Sequence, residues 1–208
     1  MGLINFQSAE KILFKYKIPI CRTFFVVSEK EALIAAEKIG YPVFLKAYGK
    51  DILHRTDIKG VIGGINNEKE LKSSFKKLMK KAKGVLVQET IFGKEIIIGA
   101  KRDSQFGPVV LVGLGGIFTE IIKDFSLRVA PVSAVEARLM LKELQGYDYL
   151  AGSRGEKPIN FKSLVSIVVS VSNLLIKEKE IEEIDLNPVI ANEKKVLAVD
   201  FKILSYGK

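Results

Sequence analysis

The segment Glu183–Ile203, "EIDLNPVIANEKKVLAVDFKI", contains two strongly apolar runs joined by a polar stretch. Apolar runs on either side of a short polar turn predict a β-hairpin. A turn centred between Glu193 and Lys194, with two or four residues in its loop, pairs residues that lie at equal distances from that centre. Asn187 then lies directly opposite Asp200.

Directly opposed residues of an antiparallel pair have Cβ atoms about 4.5 to 5.5 Å apart. An amide oxygen and a carboxylate at that spacing can hold one Mg²⁺, whose other ligands are typically water and the phosphate oxygens of a nucleotide. The alternative is a hydrogen bond between Asn187 and Asp200 that only pins the hairpin. Asp185 shares their face by alternation. Pro188 has no N–H, which predicts that its strand lies at a sheet edge or is bulged there.

The composition indicates a folded protein. The chain has 208 residues, of which 48% are hydrophobic, and this is enough for one large domain or two small lobes. A single cysteine, Cys21, excludes a disulfide framework and a CxxC metal site. The N-terminus does not resemble a secretory signal, and no apolar run approaches the roughly 20 residues that span a bilayer. We therefore expect a soluble, cytoplasmic protein without membrane association.

The net charge of +9 raises the question of a polyanionic partner. The densest basic cluster is Lys72–Lys83, in which apolar residues recur at helical spacing. This pattern predicts an amphipathic surface helix. Because no nucleic-acid motif accompanies it, we expect no nucleic-acid partner. A phosphate site for a nucleotide would use the same positive field.

The order of the predicted elements indicates two α+β lobes after an N-terminal helical segment, 1–20. The first lobe, 21–83, follows the order strand, helix, strand, strand, helix, and the spacing of Ser28 and Glu31 is that of a capping box. In the second lobe, 84–208, the runs "GVLVQET", "EIIIGAKRD" and "PVVLVGLGG" predict an antiparallel meander, followed by helices at 134–144 and 161–176. A cleft between two lobes is a natural ligand site.

Two basic residues have both a structural and a functional interpretation. Lys46 lies inside the apolar run "PVFLKA", so its ammonium group either reaches solvent or needs an anionic partner such as a phosphate. His54, the single histidine, lies in a polar loop beside Arg55. It is either a surface residue or a group that contacts or accepts a phosphate.

Two carboxylates and a glycine motif also have alternative interpretations. Glu89 and Glu95 flank a turn at Gly93, where they either solubilise the hairpin end or accept hydrogen bonds from a ribose or adenine. The motif "GLGG" at 113–116 lacks the last glycine of GxGxxG, and no GxxxxGK[ST] occurs, which argues against Rossmann and P-loop sites. The motif is then either a strand end that needs close backbone approach or a ligand loop.

The order of these features resembles the ATP-grasp fold. The segments "GYPVFLKAYGKDILHRTDIKGV", "VLVQETIFGKEIIIGAKRDSQFGPVVLVGLGGIFTEIIKDFSLRVAP" and "IDLNPV" resemble the β subunit of ADP-forming acetate–CoA ligase over essentially the whole chain. The start of the chain is more distantly similar to the β subunit of succinyl-CoA synthetase. The loop around His54 departs from the pattern of the family, since Arg55 and Lys59 stand where lysine and glycine are usual.

The resemblance implies ATP or ADP and Mg²⁺ as ligands, with a nucleotide cleft between the two lobes. It assigns the phosphates to Lys46, Arg55 and Arg128, the adenine to Glu89 and the backbone through Ile91, the ribose to Glu95, and Mg²⁺ to Asn187 and Asp200. His54 would relay a phosphoryl group between the phosphohistidine of a partner subunit and ADP.

The function that follows is that of the nucleotide-binding β subunit of an ADP-forming acyl-CoA ligase. Such a subunit couples phosphoryl transfer between a histidine and Mg-ADP or Mg-ATP to the formation or cleavage of acyl-CoA. A CoA-binding α subunit would complete a hetero-oligomer. Two alternatives are another ATP-grasp carboxylate ligase without a phosphohistidine, and a non-catalytic nucleotide-binding assembly subunit.

Overall fold

The computed structural model describes residues 2–49, 60–116 and 123–206. They belong to two compact units, Cys21–Ile91 and a second unit that combines Met1–Ile20 with Phe92–Lys208. Each unit contains one antiparallel sheet and helices packed on it, so the predicted α+β organisation is confirmed. None of the helices in the described part of the chain is long and apolar enough to cross a membrane.

The two units are built from short helices and strands. In chain order these are β1 (Gly2–Leu3), α1 (Phe6–Lys15), β2 (Thr23–Val26), α2 (Glu29–Ile39), β3 (Val43–Tyr48), β4 (Val61–Ile65), α3 (Glu68–Met79), β5 (Gly84–Glu89), β6 (Lys94–Asp103), β7 (Gly107–Leu114), β8 (Phe125–Val129), α4 (Ala134–Lys142), α5 (Tyr147–Ala151), α6 (Phe161–Lys177), β9 (Ile181–Ala191), β10 (Val196–Ala198) and β11 (Phe201–Ser205).

The smaller unit has the sheet order β2-β5-β3-β4, with α2 and α3 packed on it. Helix α2 begins after Ser28, as predicted, because Ser28 Oγ accepts from the Glu31 N–H. The second bond of the predicted capping box is displaced by one residue, since the Glu31 carboxylate accepts from the N–H of Val27 and not of Ser28. Helix α3 buries an apolar stripe against this sheet and exposes most of its lysines, as an amphipathic surface helix does.

The larger unit has the sheet order β1-β11-β9-β6-β7-β8, and β10 also pairs with β9. Helix α6 packs on β6, β7 and β9, and α4 packs on α6 and β8. The strand residues that face these helices are buried aliphatic side chains, including Ile96, Ile98, Val110 and Val112. The alternate residues lie on the opposite face of the sheet, which we call the open face.

The predicted meander is wrong at its first strand. Strand β5 pairs with β2 and β3 in the smaller unit, and only β6 and β7 pair with each other as expected. All six residues of β5 are buried, which is the pattern of a central strand. Periodicity alone does not identify the partner of such a strand. The boundary predicted after residue 83 therefore differs from the end of the smaller unit at Ile91.

Strand β8 was not predicted, because its alternation runs opposite to the usual pattern. Its helix-facing positions carry Ser126 and Arg128, whereas Phe125, Leu127 and Val129 are each about half exposed. A strand with polar residues towards the helices and apolar residues outward does not give the usual signal.

Candidate functional site

The C-terminal hairpin has the register that was predicted from its turn. Asn192 N–H donates to the carbonyl of Lys195 at 2.9 Å, so Glu193 and Lys194 form a two-residue loop. Val196 pairs with Ala191, and beyond the end of β10 Phe201 of β11 pairs with Leu186. All these pairs are centred on the same turn, so the register continues from β10 into β11.

Asn187 and Asp200 consequently lie opposite each other. The backbone N–H of Asn187 donates to the carbonyl of Asp200 at 3.1 Å. Asn187 is exposed and Asp200 is half-buried, and one carboxylate oxygen of Asp200 accepts from the N–H of Phe201 at 3.1 Å. The residues that the structure describes contain no cluster of three or more His, Cys, Asp or Glu side chains suited to a metal. A cation at this pair would complete its coordination with water or phosphate oxygens.

Pro188 lies at a β-bulge in the middle of the sheet. Ile96 pairs with Val189 and Ile98 pairs with Leu186, so Asn187 and Pro188 together face one residue of β6. The predicted bulge is confirmed, and the alternative of an edge strand is wrong because β9 lies between β6 and β11. A bulge leaves one ladder position unpaired and re-aims the neighbouring side chain, here that of Asn187.

Asp185 adds negative charge beside this pair. It lies on the open face, where Gly99 and Lys202 are its neighbours in the ladder. Burial raises the pKa of its carboxyl group, and the charges of Glu183 and Asp200 act in the same direction, whereas Lys202 lowers it. A bound cation would offset this unfavourable charge.

Glu95 is the first exposed residue of β6. Its backbone lies between Ile190 of β9 and Gly115, whose N–H donates to the Glu95 carbonyl at 2.8 Å. The side chain is exposed on the open face. The larger unit therefore carries Glu95 and Asn187 on the neighbouring strands β6 and β9, and Asp200 directly before β11.

Arg128 does not belong to this group. Its partner Val110 faces the helices, so Arg128 lies on the helix-covered face of the sheet. Its guanidinium pairs with the carboxylate of Glu143 and donates to Ser126 Oγ at 3.3 Å. The hydrogen bonds from Arg128 and Ser126 hold the pKa of Glu143 below its usual value. The structure therefore places Arg128 on the opposite face of the sheet from Glu95 and Asp185, and the predicted phosphate contact stays a prediction.

Lys46 is buried in the smaller unit. It lies in β3 between Val61 and Leu86 and is 6% exposed, so the alternative of a side chain that extends into solvent is wrong. Burial raises the pKa of the neighbouring Cys21 thiol to about 11, although its contact with Thr23 and the charge of Lys46 act in the opposite direction. Cys21 is therefore a protonated core residue at neutral pH.

Arg22 holds the Glu89 carboxylate, and no prediction from the sequence included this arginine. Glu89 accepts from the Arg22 N–H at 3.1 Å and from its Nε at 3.0 Å. The same guanidinium donates to the carbonyls of Lys38 and Ile39 at the end of α2. No pattern in "CRTFF" indicates this role, because its partners are remote in sequence.

The end of the smaller unit carries a second polar group of interest. Thr90 Oγ1 is buried without a hydrogen-bond partner among the described residues, and it lies between Glu89 and the half-buried Ile91. Buried hydroxyl groups normally find a partner.

His54 and Arg55 lie outside the described residues.

The chain is similar to known proteins over nearly its whole length. A family model described as an ATP-grasp domain matches residues 2–204. The β subunit of ADP-forming acetate–CoA ligase I from Pyrococcus furiosus is 41% identical over 206 residues, covering 94% of this chain and 89% of that subunit. The ADP-forming 4-hydroxybutyrate–CoA ligase of Nitrosopumilus maritimus is 38% identical over 198 residues, covering 90% of this chain but 28% of that longer protein.

A solved structure is also similar to this chain. It is the dinucleotide-forming acetyl-coenzyme A synthetase 1 of Ca. Korarchaeum cryptofilum, in complex with coenzyme A and Mg-AMPPCP. The TM-score is 0.88 at 33% identity, covering 99% of this chain and 93% of that chain. In that complex a phosphohistidine segment points towards the nucleotide binding site.

The hydrogen bonds of Arg22 lead to a stability prediction. We expect Arg22→Ala to lower the free energy of unfolding by about 1 to 3 kcal/mol, because the nearly buried Glu89 carboxylate loses its charged partner. Arg138→Ala, at an exposed arginine of α4, is the control and should cost less than about 0.5 kcal/mol. Urea unfolding measures both, and equal values for the two variants would contradict the role of Arg22.

The raised pKa of Asp185 leads to a prediction with a defined sign. Above its folded-state pKa the buried charge destabilises the fold, so we expect Asp185→Asn to raise the free energy of unfolding at pH 7. The gain should disappear as the pH falls below about 4, where folded and unfolded states are both protonated.

Asp103→Asn is the matched control for Asp185. Hydrogen bonds from the N–H groups of Phe106 and Gln105 lower the pKa of Asp103. Its substitution should therefore destabilise the protein at pH 7, and the loss should also vanish in acid. Chemical unfolding at several pH values measures both variants, and effects of the same sign would refute the assignment.

Proposed function

Since the chain belongs to the ATP-grasp family and, within it, to the β subunits of ADP-forming acetate–CoA ligases, we propose that Asn187, Asp200, Lys46, Glu95 and His54 carry its nucleotide chemistry. The enzyme couples ATP formation from ADP and phosphate to the cleavage of acyl-CoA, and the reverse. The observation that carries the assignment of the two metal ligands is the hairpin register, in which the Asn187 N–H donates to the carbonyl of Asp200.

Asn187 and Asp200 would hold Mg²⁺, which, when bound, neutralises charge on the phosphates of the nucleotide. The donor set suits this ion, because both side chains offer oxygen atoms, and the carboxyl group of Asp185 lies two residues before Asn187 in the same strand. Asp185 supplies charge to this region without being one of the two proposed ligands.

Lys46 is proposed to bind the phosphates of the nucleotide. The ammonium group of this buried side chain carries three N–H donors, which can bind phosphate oxygens through charge-assisted hydrogen bonds. The same burial strengthens its attraction to a phosphate oxygen, because water does not screen the charges. Lys46 thus stabilises charge that develops on the phosphates during transfer.

The base and the sugar are assigned to two separate segments. The backbone from Glu89 to Ile91 meets the adenine, since the Glu89 side chain is engaged by Arg22. The hydroxyl of Thr90, which has no hydrogen-bond partner among the residues that the structure describes, is a further donor or acceptor in that segment. Glu95, an exposed carboxylate, accepts hydrogen bonds from the ribose hydroxyls.

His54 is the proposed phosphoryl carrier. A neutral imidazole nitrogen of His54 forms the N–P bond while the bond between the γ-phosphorus and the bridging oxygen breaks, and ADP leaves. In the direction of ATP formation, an oxygen of the ADP β-phosphate attacks the phosphohistidine and frees the imidazole. Arg55 stabilises the charge on the transferred group.

A partner subunit completes the enzyme. β subunits related to this chain exist as separate proteins, whereas in other relatives the matching region is a minor part of a longer chain. We infer that the partner binds CoA and carries the acyl-CoA chemistry, and that the two form a hetero-oligomer.

The relay is tested by labelling with [γ-³²P]ATP in the presence of Mg²⁺. We expect acid-labile, base-stable label on the wild-type chain and none on His54→Ala, because the label is a phosphoramidate on that imidazole. Nucleotide binding, measured by calorimetry, should persist in His54→Ala. An unlabelled wild-type chain that still binds nucleotide would instead indicate a ligase without a phosphohistidine or a non-catalytic subunit.

The metal assignment is tested by the magnesium dependence of ADP binding. Asn187→Ala and Asp200→Asn should each weaken the apparent Mg²⁺ affinity at least about tenfold, because the first removes an oxygen ligand and the second removes the negative charge of the other ligand. Asn173→Ala, at an exposed amide on α6, is the control and should change nothing. If binding of both hairpin variants keeps the wild-type Mg²⁺ dependence, the pair only pins the hairpin.

A further inference from the structure

The glycine motif at 113–116 lies close to Glu95. Gly115 follows β7, and its N–H donates to the Glu95 carbonyl at 2.8 Å. This bond extends the β6 and β7 ladder by one pair beyond Ile96 and Leu114. Glu95 and Gly115 are therefore directly opposed.

The space between these two residues admits only a glycine. A Cβ atom on Gly115 would lie 2.9 Å from Glu95 Cβ, 3.0 Å from its carbonyl carbon and 3.1 Å from the nitrogen of Ile96. Directly opposed residues normally have Cβ atoms about 4.5 to 5.5 Å apart. A side chain at Gly115 would thus displace the backbone of β6 at the position that presents Glu95.

Gly116 contacts the functional end of the same side chain. Its φ of +64° lies in the left-handed region. A Cβ atom there would lie 2.9 Å from Glu95 Oε2 and 3.6 Å from Glu95 Cδ, with no other atom among the nearest contacts. The Glu95 carboxylate therefore lies against the bare backbone of Gly116.

We infer that Gly115 and Gly116 are positioning residues that set the location of the Glu95 carboxylate, an inference that rests on the proposed contact between Glu95 and the ribose. The lack of a side chain at Gly115 allows the backbone of Glu95 to lie close to it. The lack of a side chain at Gly116 leaves space for the Glu95 carboxylate. A glutamate side chain loses rotamer entropy when it is ordered, and a position limited on one side by backbone reduces that cost during binding.

A purely structural role for the motif makes a different prediction, because not every glycine of this region touches Glu95. Gly107, at the start of β7, has a φ of +75° and nothing within 4 Å of an added Cβ atom. A side chain at Gly107 would therefore be strained by the positive φ, as at Gly116, but it would not contact Glu95. Gly107→Ala and Gly116→Ala form a matched pair that separates strain from displacement of the carboxylate.

The experiment measures binding of ATP and of 2′,3′-dideoxy-ATP to the full chain in Mg²⁺. We expect the wild type to prefer ATP and Gly116→Ala to reduce that preference about tenfold, the value of one charged hydrogen bond. Gly107→Ala should keep the wild-type preference even where its thermal stability falls. If Gly116→Ala does not fold, Gly116→Asn is used, because asparagine tolerates a positive φ but still adds a Cβ atom.

Glu95→Ala separates this inference from the proposed function. In that background Gly116→Ala should cause no further loss of preference, because it acts through the carboxylate. A wild-type preference in Glu95→Ala would overturn the ribose contact, and the positioning role with it. A reduced preference in Glu95→Ala together with a wild-type preference in both variants at Gly116 would overturn the positioning role alone.

Discussion

The backbone register of β9 with β10 and β11 is the constraint on which the candidate site depends. A two-residue turn at Glu193 and Lys194 sets the pairing, and the same register continues along both strands to Asn187 and Asp200. A slip of one residue would move every side chain of β9 to the other face. The buried aliphatic residues of β9 prevent that slip, so the hydrophobic core of the larger unit also determines where the polar pair lies.

The two faces of the larger sheet separate binding chemistry from packing. Helix α6 covers one face, and there the polar residues are engaged within the protein, as the pairing of Arg128 with Glu143 demonstrates. The open face carries Glu95, Asp185 and Asn187, and the two carboxylates and the amide do not pack into the hydrophobic core. Two local features change the backbone geometry of this face: β9 has a bulge at Pro188, and the backbone of Gly115 approaches Glu95 closely.

The smaller unit supplies a different environment. Lys46 is held in a buried strand, and Glu89 is fixed by an arginine that also binds the end of α2. Burying a charged side chain costs free energy unless the charge is paired. The pairing of Glu89 with Arg22 therefore favours one arrangement of the strands around it. A buried lysine suits the proposed binding of phosphates, and the proposed contact with the base uses the backbone because the Glu89 carboxylate accepts from Arg22.

The amino-acid sequence by itself determined the α+β class, the capped start of α2, the hairpin turn and the opposition of Asn187 and Asp200, because these depend on local patterns and on counting from one turn. The motif resemblance also led to the family that the comparisons confirm. Only the tertiary structure decided the sheet of β5, the face of Arg128, the engagement of Glu89 by Arg22 and the contact of Glu95 with Gly116. Each of these depends on partners remote in sequence, and periodicity specifies which face a residue takes but not which strand lies beside it.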